Sequence, residues 1–376
     1  MARSHFRHVA IRGISAVVPP DEIRIEDELE YYGGSLERAL RAKEIIGIDR
    51  RRVAAPGVTA SDLCGQAATA VLEETGISPA SIDALIFVTQ TPDYIIPASA
   101  CILQDALGLS NDCACFDVNQ GCAGYTYGLW LAGSLIESRA ASRVLLLAGD
   151  CTTPFVDKDN RVVAPLFGDG GSATLLEYDP EENASWFILG TDGGKHETLI
   201  SPTRQGRLPL PNTPEEYALF CEKLLDENGT PWRLIHWYMD AGEIFDFTLE
   251  VVPGLLRETL ESAGCTVDDL SCLAPHQANG QIVKAIARKA GIPLEKTCYE
   301  TFSKFGNLTS ASIPATLCDM AERATGVGKN RVLLAGFGVG LSWATAPVDL
   351  AKTLCLDVRD FQADPEGLRP EGALQD

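Results

Sequence analysis

The chain has 376 residues, 45% of them hydrophobic, with a mean hydropathy of +0.02 and 31 basic against 52 acidic side chains. That composition builds a globular protein with one large core or two moderate ones. A net charge of −21 works against nonspecific binding to nucleic acid or an anionic membrane, since both are polyanions.

From the N-terminus, the short apolar pieces around Arg3, Arg7 and Arg12 lack the unbroken apolar run of a signal peptide. An amphipathic helix is predicted over 62–75, closed by Gly76, and a strand over 84–90. A second strand ends at Val118, where Gly121-Cys122-Ala123-Gly124 turns the chain into a stretch that is hydrophobic on all sides to about Ile136. That stretch reads as a helix running through the core. A strand follows over 142–149, and a polar break at Tyr178-Asp179-Pro180 closes the first half. The second half carries a helix over 247–263, a strand ending before His276, and a helix closing at Gly291. The tract from Val332 to Val348 is interrupted by Gly336, Gly338, Gly340 and Ser342, so it reads as strand, turn, strand and not as a membrane span. A polar tail runs from Asp357 to the end.

The halves repeat one another. Ile82 and Leu270 are 188 positions apart, Cys122 and Asn307 are 185 apart, and Arg143 and Arg331 are 188 apart. An offset held within three residues at three landmarks predicts two βαβα units related by approximate twofold symmetry. The division is set at residues 1–178 and 179–356, with 357–376 as the tail. The expected class is an α/β sandwich of sheets and helices.

Twelve cysteines are scattered without a CxxC pair, which removes zinc-ribbon and thioredoxin-type readings. Free thiols in a reducing cytoplasm are the simplest account, and neither a metal nor a cofactor is called for. Among the twelve, Cys122 stands out because its place before a helix puts unpaired N–H groups and a positive dipole end near the sulfur, favouring a thiolate. The alternative is an inert buried cysteine acting as a small hydrophobe. His276 follows a strand end, where open α/β sheets meet ligands. Asn307 sits in a Gly306-Asn307 turn, which by itself is an ordinary turn signal. Pseudo-symmetry brings all three to the boundary between the halves, a common place for a pocket.

The words around these residues occur in a telling order: Thr91-Pro-Asp93, Cys122-Ala-Gly-Tyr-Thr126, Phe167-Gly-Asp-Gly170, His276-Gln-Ala-Asn279, Gly306-Asn307 and Gly336-Phe-Gly-Val-Gly-Leu-Ser-Trp343. Together, from about residue 8 to 350, they resemble the thiolase superfamily, in particular 3-oxoacyl-[acyl-carrier-protein] synthase III and its relatives. The resemblance implies a five-layered αβαβα fold, a homodimer and decarboxylative Claisen condensation of an acyl thioester with a malonyl thioester. It places the catalytic triad on Cys122, His276 and Asn307, and the oxyanion-hole N–H groups on Cys122 and Val339. The implied partners are an acyl-CoA or acyl-carrier starter, malonyl-carrier and acyl carrier protein. Phe337 is expected in the substrate pocket, as is Ile96, at a position that enters the partner subunit's acyl pocket and here admits a primer longer than acetyl.

Some positions depart from the family. The early loop from Asp21 to Ile48 is longer and has no tryptophan, and no arginine follows Asp150 in Cys151-Thr-Thr-Pro-Phe155. The usual grip on coenzyme A is therefore missing, which leaves a carrier-borne primer open. Gln281 replaces an arginine two places after the His276 word, so Arg288 and Lys289 become the expected basic contact for an acidic carrier. A second reading stays open: acyl transfer from Cys122 to a hydroxyl or amine without a new carbon–carbon bond. Asn307 discriminates, because simple transfer needs no enolate stabiliser.

Overall fold

The computed structural model describes residues 1–181, 183–203, 208, 211–227, 229–321 and 331–363. Two sheets carry the architecture. In the first, neighbouring strands run in the order Leu354–Cys355, Val9–Val18, Gly170–Tyr178, Arg143–Asp150, Ala84–Val88, Ala114–Val118. In the second the order is Ala2–Phe6, Ser185–Thr191, Ser342–Asp349, Arg331–Gly338, Leu270–Pro275. Each sheet has the same heart, a parallel pair next to an antiparallel one: 84–88 with 143–150 and 170–178, matched by 270–275 with 331–338 and 342–349. The predicted repeat is therefore a repeat of topology.

Alternation along the strands creates the layers. Ile86, Val88, Val144 and Leu146 point to one side of the first sheet, and Val332 and Leu334 to one side of the second. Between them lie helices Gly124–Glu137 and Ser312–Asp319, through Tyr125, Leu129, Ile313 and Leu317. Leu85, Phe87, Leu145 and Leu147 face outward onto helices Ala60–Thr75 and Ser99–Ala106. Leu273, Leu333 and Ala335 face outward onto helices Ala241–Ser262 and Gly280–Ala290. Strands covered on both faces need continuous apolar runs, which is why their sequences read as such. The result is helix, sheet, helix, sheet, helix, the thiolase-like αβαβα sandwich expected.

The expected division at 178/179 is crossed by both termini. Ala2–Phe6 pairs with Ser185–Thr191 in the second sheet, residue 2 opposite 189. Leu354–Cys355 and Arg359–Asp360 pair with Val9–Val18 in the first. The start of the expected tail is thus a strand, with Phe361 packed against the first sheet's outer core; residues 364–376 lie outside the described residues.

The segment read as an early loop contains a 3-10 run, Ile25–Tyr32, and a helix, Leu36–Ile46, capped by Ser35 and ended by Gly47 at φ +78°. Ile25 and Ala39 pack with Val156, Leu166, Phe167 and Phe302. Glu28 fastens the segment by accepting from Arg51 at 2.6 Å and Arg161 at 2.8 Å, and those bonds hold its carboxyl below the usual range against the upward push of burial. Among the described residues no helix is long and apolar enough to cross a membrane.

Candidate active site

Of the three expected residues Cys122 lines the cavity at the seam between the halves, while His276 and Asn307 are buried and are not on the cavity wall, which Thr309 next to Asn307 reaches. Cys122 lies between the Ala114–Val118 strand and the Gly124–Glu137 helix, one residue ahead of the N-cap Ala123, and is 6% exposed. The Arg331–Gly338 strand ends directly beneath it. A Cβ on Gly338 would lie 2.6 Å from Cys122 Cβ and 2.8 Å from its sulfur, and the φ there is +151°, so glycine is required on both counts. The backbone N–H groups of Val339 and of Cys122 itself favour the sulfur's anion.

The sulfur's charge state corrects the expectation of a resting thiolate. Burial, the largest influence, and the nearby Asp150 charge push the Cys122 thiol up to about 11, although the two N–H groups pull the other way. The helix position was read correctly, but dehydration outweighs it. In the free protein at neutral pH the group is a thiol.

His276 follows the Leu270–Pro275 strand, and its N–H bonds Ala335 O at 2.7 Å, tying it to the neighbouring strand. The ring is 1% exposed. Ser312 Oγ lies 2.7 Å from Nδ1 and also accepts the Gln277 N–H at 3.3 Å, which turns the hydroxyl proton toward the ring. Nδ1 is then the acceptor and Nε2 carries the hydrogen, with the Thr309 backbone acting on the ring. Burial lowers the pKa to about 3, so the imidazole is a neutral donor throughout the physiological range.

Asn307 comes after the Thr301–Phe305 helix and Gly306 at φ +80°. Its N–H bonds Leu166 O at 2.8 Å and its carbonyl accepts from Gly168 at 3.1 Å, so the Phe167-Gly-Asp-Gly170 word is a structural turn that cradles it. Its Oδ1 accepts the Thr309 N–H at 2.9 Å. Thr309 is the joint of the site: it lines the same cavity as Cys122, its N–H orients Asn307, and its backbone acts on the His276 ring. It does so at φ +49°, unusual for a β-branched residue. Nothing in the sequence word marked it.

The cavity that reaches Cys122, Thr309 and Val339 has a volume of about 680 Å3. Its outer wall is apolar, from Phe155, Leu199, Ile200, Tyr217, Ile235 and Trp237. Trp237 stacks on Phe155 with centroids 5.9 Å apart and meets Phe167 edge-on at 6.3 Å. These wall residues come from segments that sequence reading left unassigned.

Other expected residues fall differently. Ile96 is 84% exposed, while Tyr94 and Ile95 beside it line the cavity of their own chain. Phe337 is not on the cavity wall: it is buried in the outer core of the second sheet and sets its ring edge against His276 at 5.6 Å. Arg288 and Lys289 are exposed in the last turn of the Gly280–Ala290 helix, with no acidic partner among the described residues. No group of histidine, cysteine and carboxylate side chains among the described residues could hold a metal ion.

Comparison with known proteins places the chain beside one family. The family described as 3-oxoacyl-[acyl-carrier-protein (ACP)] synthase III matches residues 116–193, and its C-terminal part matches residues 260–350. A β-ketoacyl-[acyl-carrier-protein] synthase III of Roseiflexus sp. is 36% identical over 91% of this chain and 98% of its own length. The crystal structure of a 3-oxoacyl-(acyl-carrier protein) synthase from Burkholderia xenovorans superposes with a TM-score of 0.87 at 34% identity, covering 96% of this chain and 99% of that one. The priming β-ketosynthase of the R1128 polyketide pathway superposes at 0.75 with 26% identity, covering 95% and 98%.

Proposed function

The chain belongs to the 3-oxoacyl-[acyl-carrier-protein] synthase III family, and on that premise we propose how its own residues divide the work of condensation. The enzyme joins an acyl thioester starter to a malonyl thioester with loss of carbon dioxide. In the first half-reaction Cys122 Sγ attacks the starter carbonyl. The carbon–sulfur bond to the carrier breaks, and the Cys122 proton leaves with the carrier thiol. A thiol raised to about 11 suits an exchange in which the entering sulfur loses its proton only as the leaving sulfur gains one.

In the second half-reaction the malonyl carboxylate leaves as carbon dioxide and its bonding pair moves into the thioester as an enolate. His276, neutral and bearing hydrogen on Nε2, and the Asn307 carboxamide, oriented by Thr309, supply donors for the enolate oxygen. The enolate carbon then bonds the acyl-Cys122 carbonyl. The resulting oxyanion is met by the N–H groups of Cys122 and Val339, and its collapse frees the sulfur as a thiolate, which takes a proton from solvent to restore the thiol.

The single observation that carries this division is Thr309, which lines the cavity that reaches Cys122 and whose N–H fixes the Asn307 carboxamide oxygen. Asn307→Ala tests it. The variant is expected to acquire an acyl group on Cys122 at close to the normal rate, while carbon dioxide release from malonyl-carrier falls by about a hundredfold. Full condensation by this variant would sink the assignment and revive simple acyl transfer.

The starter itself is a finer matter. A wall of Leu199, Ile200, Ile235 and Trp237 around about 680 Å3 supports a primer longer than acetyl. The exposed Arg288 and Lys289 support docking of an acidic carrier protein, and either coenzyme A or that carrier can deliver the primer. A homodimer is supported by the exposed Ile95 and Ile96 and by Phe116 on the edge strand Ala114–Val118; sedimentation giving only monomer would count against it. Twelve free cysteines support a reducing, cytoplasmic setting.

A further inference from the structure

Asp150 ends the Arg143–Asp150 strand at the seam and is wholly buried, yet no step above uses it. Its Oδ1 accepts the Gln90 N–H at 2.7 Å and the Thr89 and Thr91 hydroxyls at 3.3 and 3.4 Å. Its Oδ2 accepts the Ser310 hydroxyl at 2.6 Å and the Ser310 N–H at 3.2 Å. The two threonine hydroxyls already receive the N–H groups of Thr91 and Cys151, both at 3.0 Å, and lie 3.4 Å from one another, so at least one of their protons turns toward the carboxyl. Every partner is able to donate, and the arrangement is built for a carboxylate. Burial pushes its pKa up, and the bonds from Ser310 and Gln90 pull against that push.

The donors come from both halves. Gln90 follows the Ala84–Val88 strand, and its side chain presses on Gly121 beside Cys122, where a Cβ would meet Gln90 Oε1 at 2.2 Å. Ser310 adjoins Thr309, whose N–H orients Asn307 and whose backbone acts on the His276 ring. Thr309 keeps φ +49° without a glycine's freedom, so it depends on anchors at its flanks.

We propose that Asp150 is the positioning residue that sets the Asn307–Thr309 turn and His276 against Cys122, acting through Ser310 across the boundary between the halves. The inference rests on the roles given above to Cys122, His276 and Asn307. It also predicts an electrostatic signature, because the Asp150 charge is among the influences that raise the Cys122 thiol.

The test compares Asp150→Asn and Ser310→Ala with wild type and Asn307→Ala in the full chain. Four readouts are taken: acylation of Cys122 by hexanoyl-N-acetylcysteamine, carbon dioxide release from malonyl-carrier, the pH profile of iodoacetamide alkylation, and the melting temperature. Asparagine turns an amide NH2 toward a donor, so Asp150→Asn should lose decarboxylation by about thirtyfold or more while acylation stays within about threefold. Its alkylation midpoint should fall below that of wild type, because the negative charge is gone. Ser310→Ala keeps the charge and one backbone donor, so it should lose decarboxylation by a smaller factor with its alkylation midpoint unmoved.

Equal loss of both half-reactions in Asp150→Asn, with the alkylation midpoint in place, would reduce Asp150 to scaffold and overturn the proposal. Wild-type decarboxylation in Asp150→Asn, with Asn307→Ala inactive, would overturn it while sparing the underlying mechanism. Wild-type decarboxylation in Asn307→Ala would defeat that mechanism itself. Should Asp150→Asn not fold, Ser310→Ala decides alone, and an unchanged decarboxylation rate there overturns the proposal.

Discussion

At the seam, main chain lies against main chain. Gly338 passes under Cys122 with no room for a methyl group, and Gly336 passes under Ala123, where a Cβ would meet the Cα at 2.7 Å. At the outer wall of the cavity, side chains from separate segments lean on one another. Trp237 stacks on Phe155, and Arg233 reaches Asp157 at 2.5 Å and Asp159 at 2.6 Å to hold the two segments together. The seam is buried and fixed by glycines, whereas the wall is partly exposed and fixed by exchangeable side chains. A reaction whose geometry tolerates little error belongs at the first, and selection among starters belongs at the second.

The largest expected effect tests the burial of the seam. His276 titrates at about 3 when folded against 6.5 as its ordinary value, so between those pH values the unfolded chain binds the proton and the folded chain does not. Stability is therefore expected to fall as pH drops from about 6.5 toward 3, by up to about 1.4 kcal/mol per pH unit from this group. Urea titrations of wild type and His276→Phe should show a flatter acid limb in the variant. Identical limbs would mean that the ring is more hydrated than its burial indicates.

Next in size is Gly338→Ala, which forces the strand end away from Cys122 and should slow acylation by about a hundredfold in stopped-flow measurements. A rate within threefold of wild type would show that the seam yields. Trp237→Ala, on the wall, should leave the overall rate with a good starter nearly intact. It should shift the preference in kcat/KM toward longer or bulkier acyl groups by about tenfold. If Trp237→Ala instead abolished acylation with every starter, the contrast between seam and wall would collapse.

How much of this was legible in the sequence follows from where the physics is local. The strands at 84–88 and 331–338 could be read because burial on both faces demands continuous apolar runs. The Leu36–Ile46 helix passed for loop although Ser35 and Gly47 bracket it, because a single buried residue, Ala39, gives its pattern little contrast. The wall segments between 199 and 239 hold strands of two residues, such as Leu224–Leu225 and Pro231–Trp232, too short to show a period. Cys122, His276 and Asn307 were identified by their surrounding words. The protonation of Cys122 was misread because burial outweighs the helix position, and the fold also brings the Asp150 charge near the sulfur. Thr309 and Asp150 stayed invisible, since their roles lie in bonds between halves.

The interlaced termini bear on how such a molecule comes off the ribosome. The first sheet acquires its outermost strands only when residues 354–360 emerge, and the second borrows an opening strand made some 180 residues earlier. Neither half can finish alone during synthesis, so the first sheet waits with an open edge until residues 354–360 have been made. Cutting the gene at its apparent midpoint would part strands from their partners and yield two fragments competent only when expressed together.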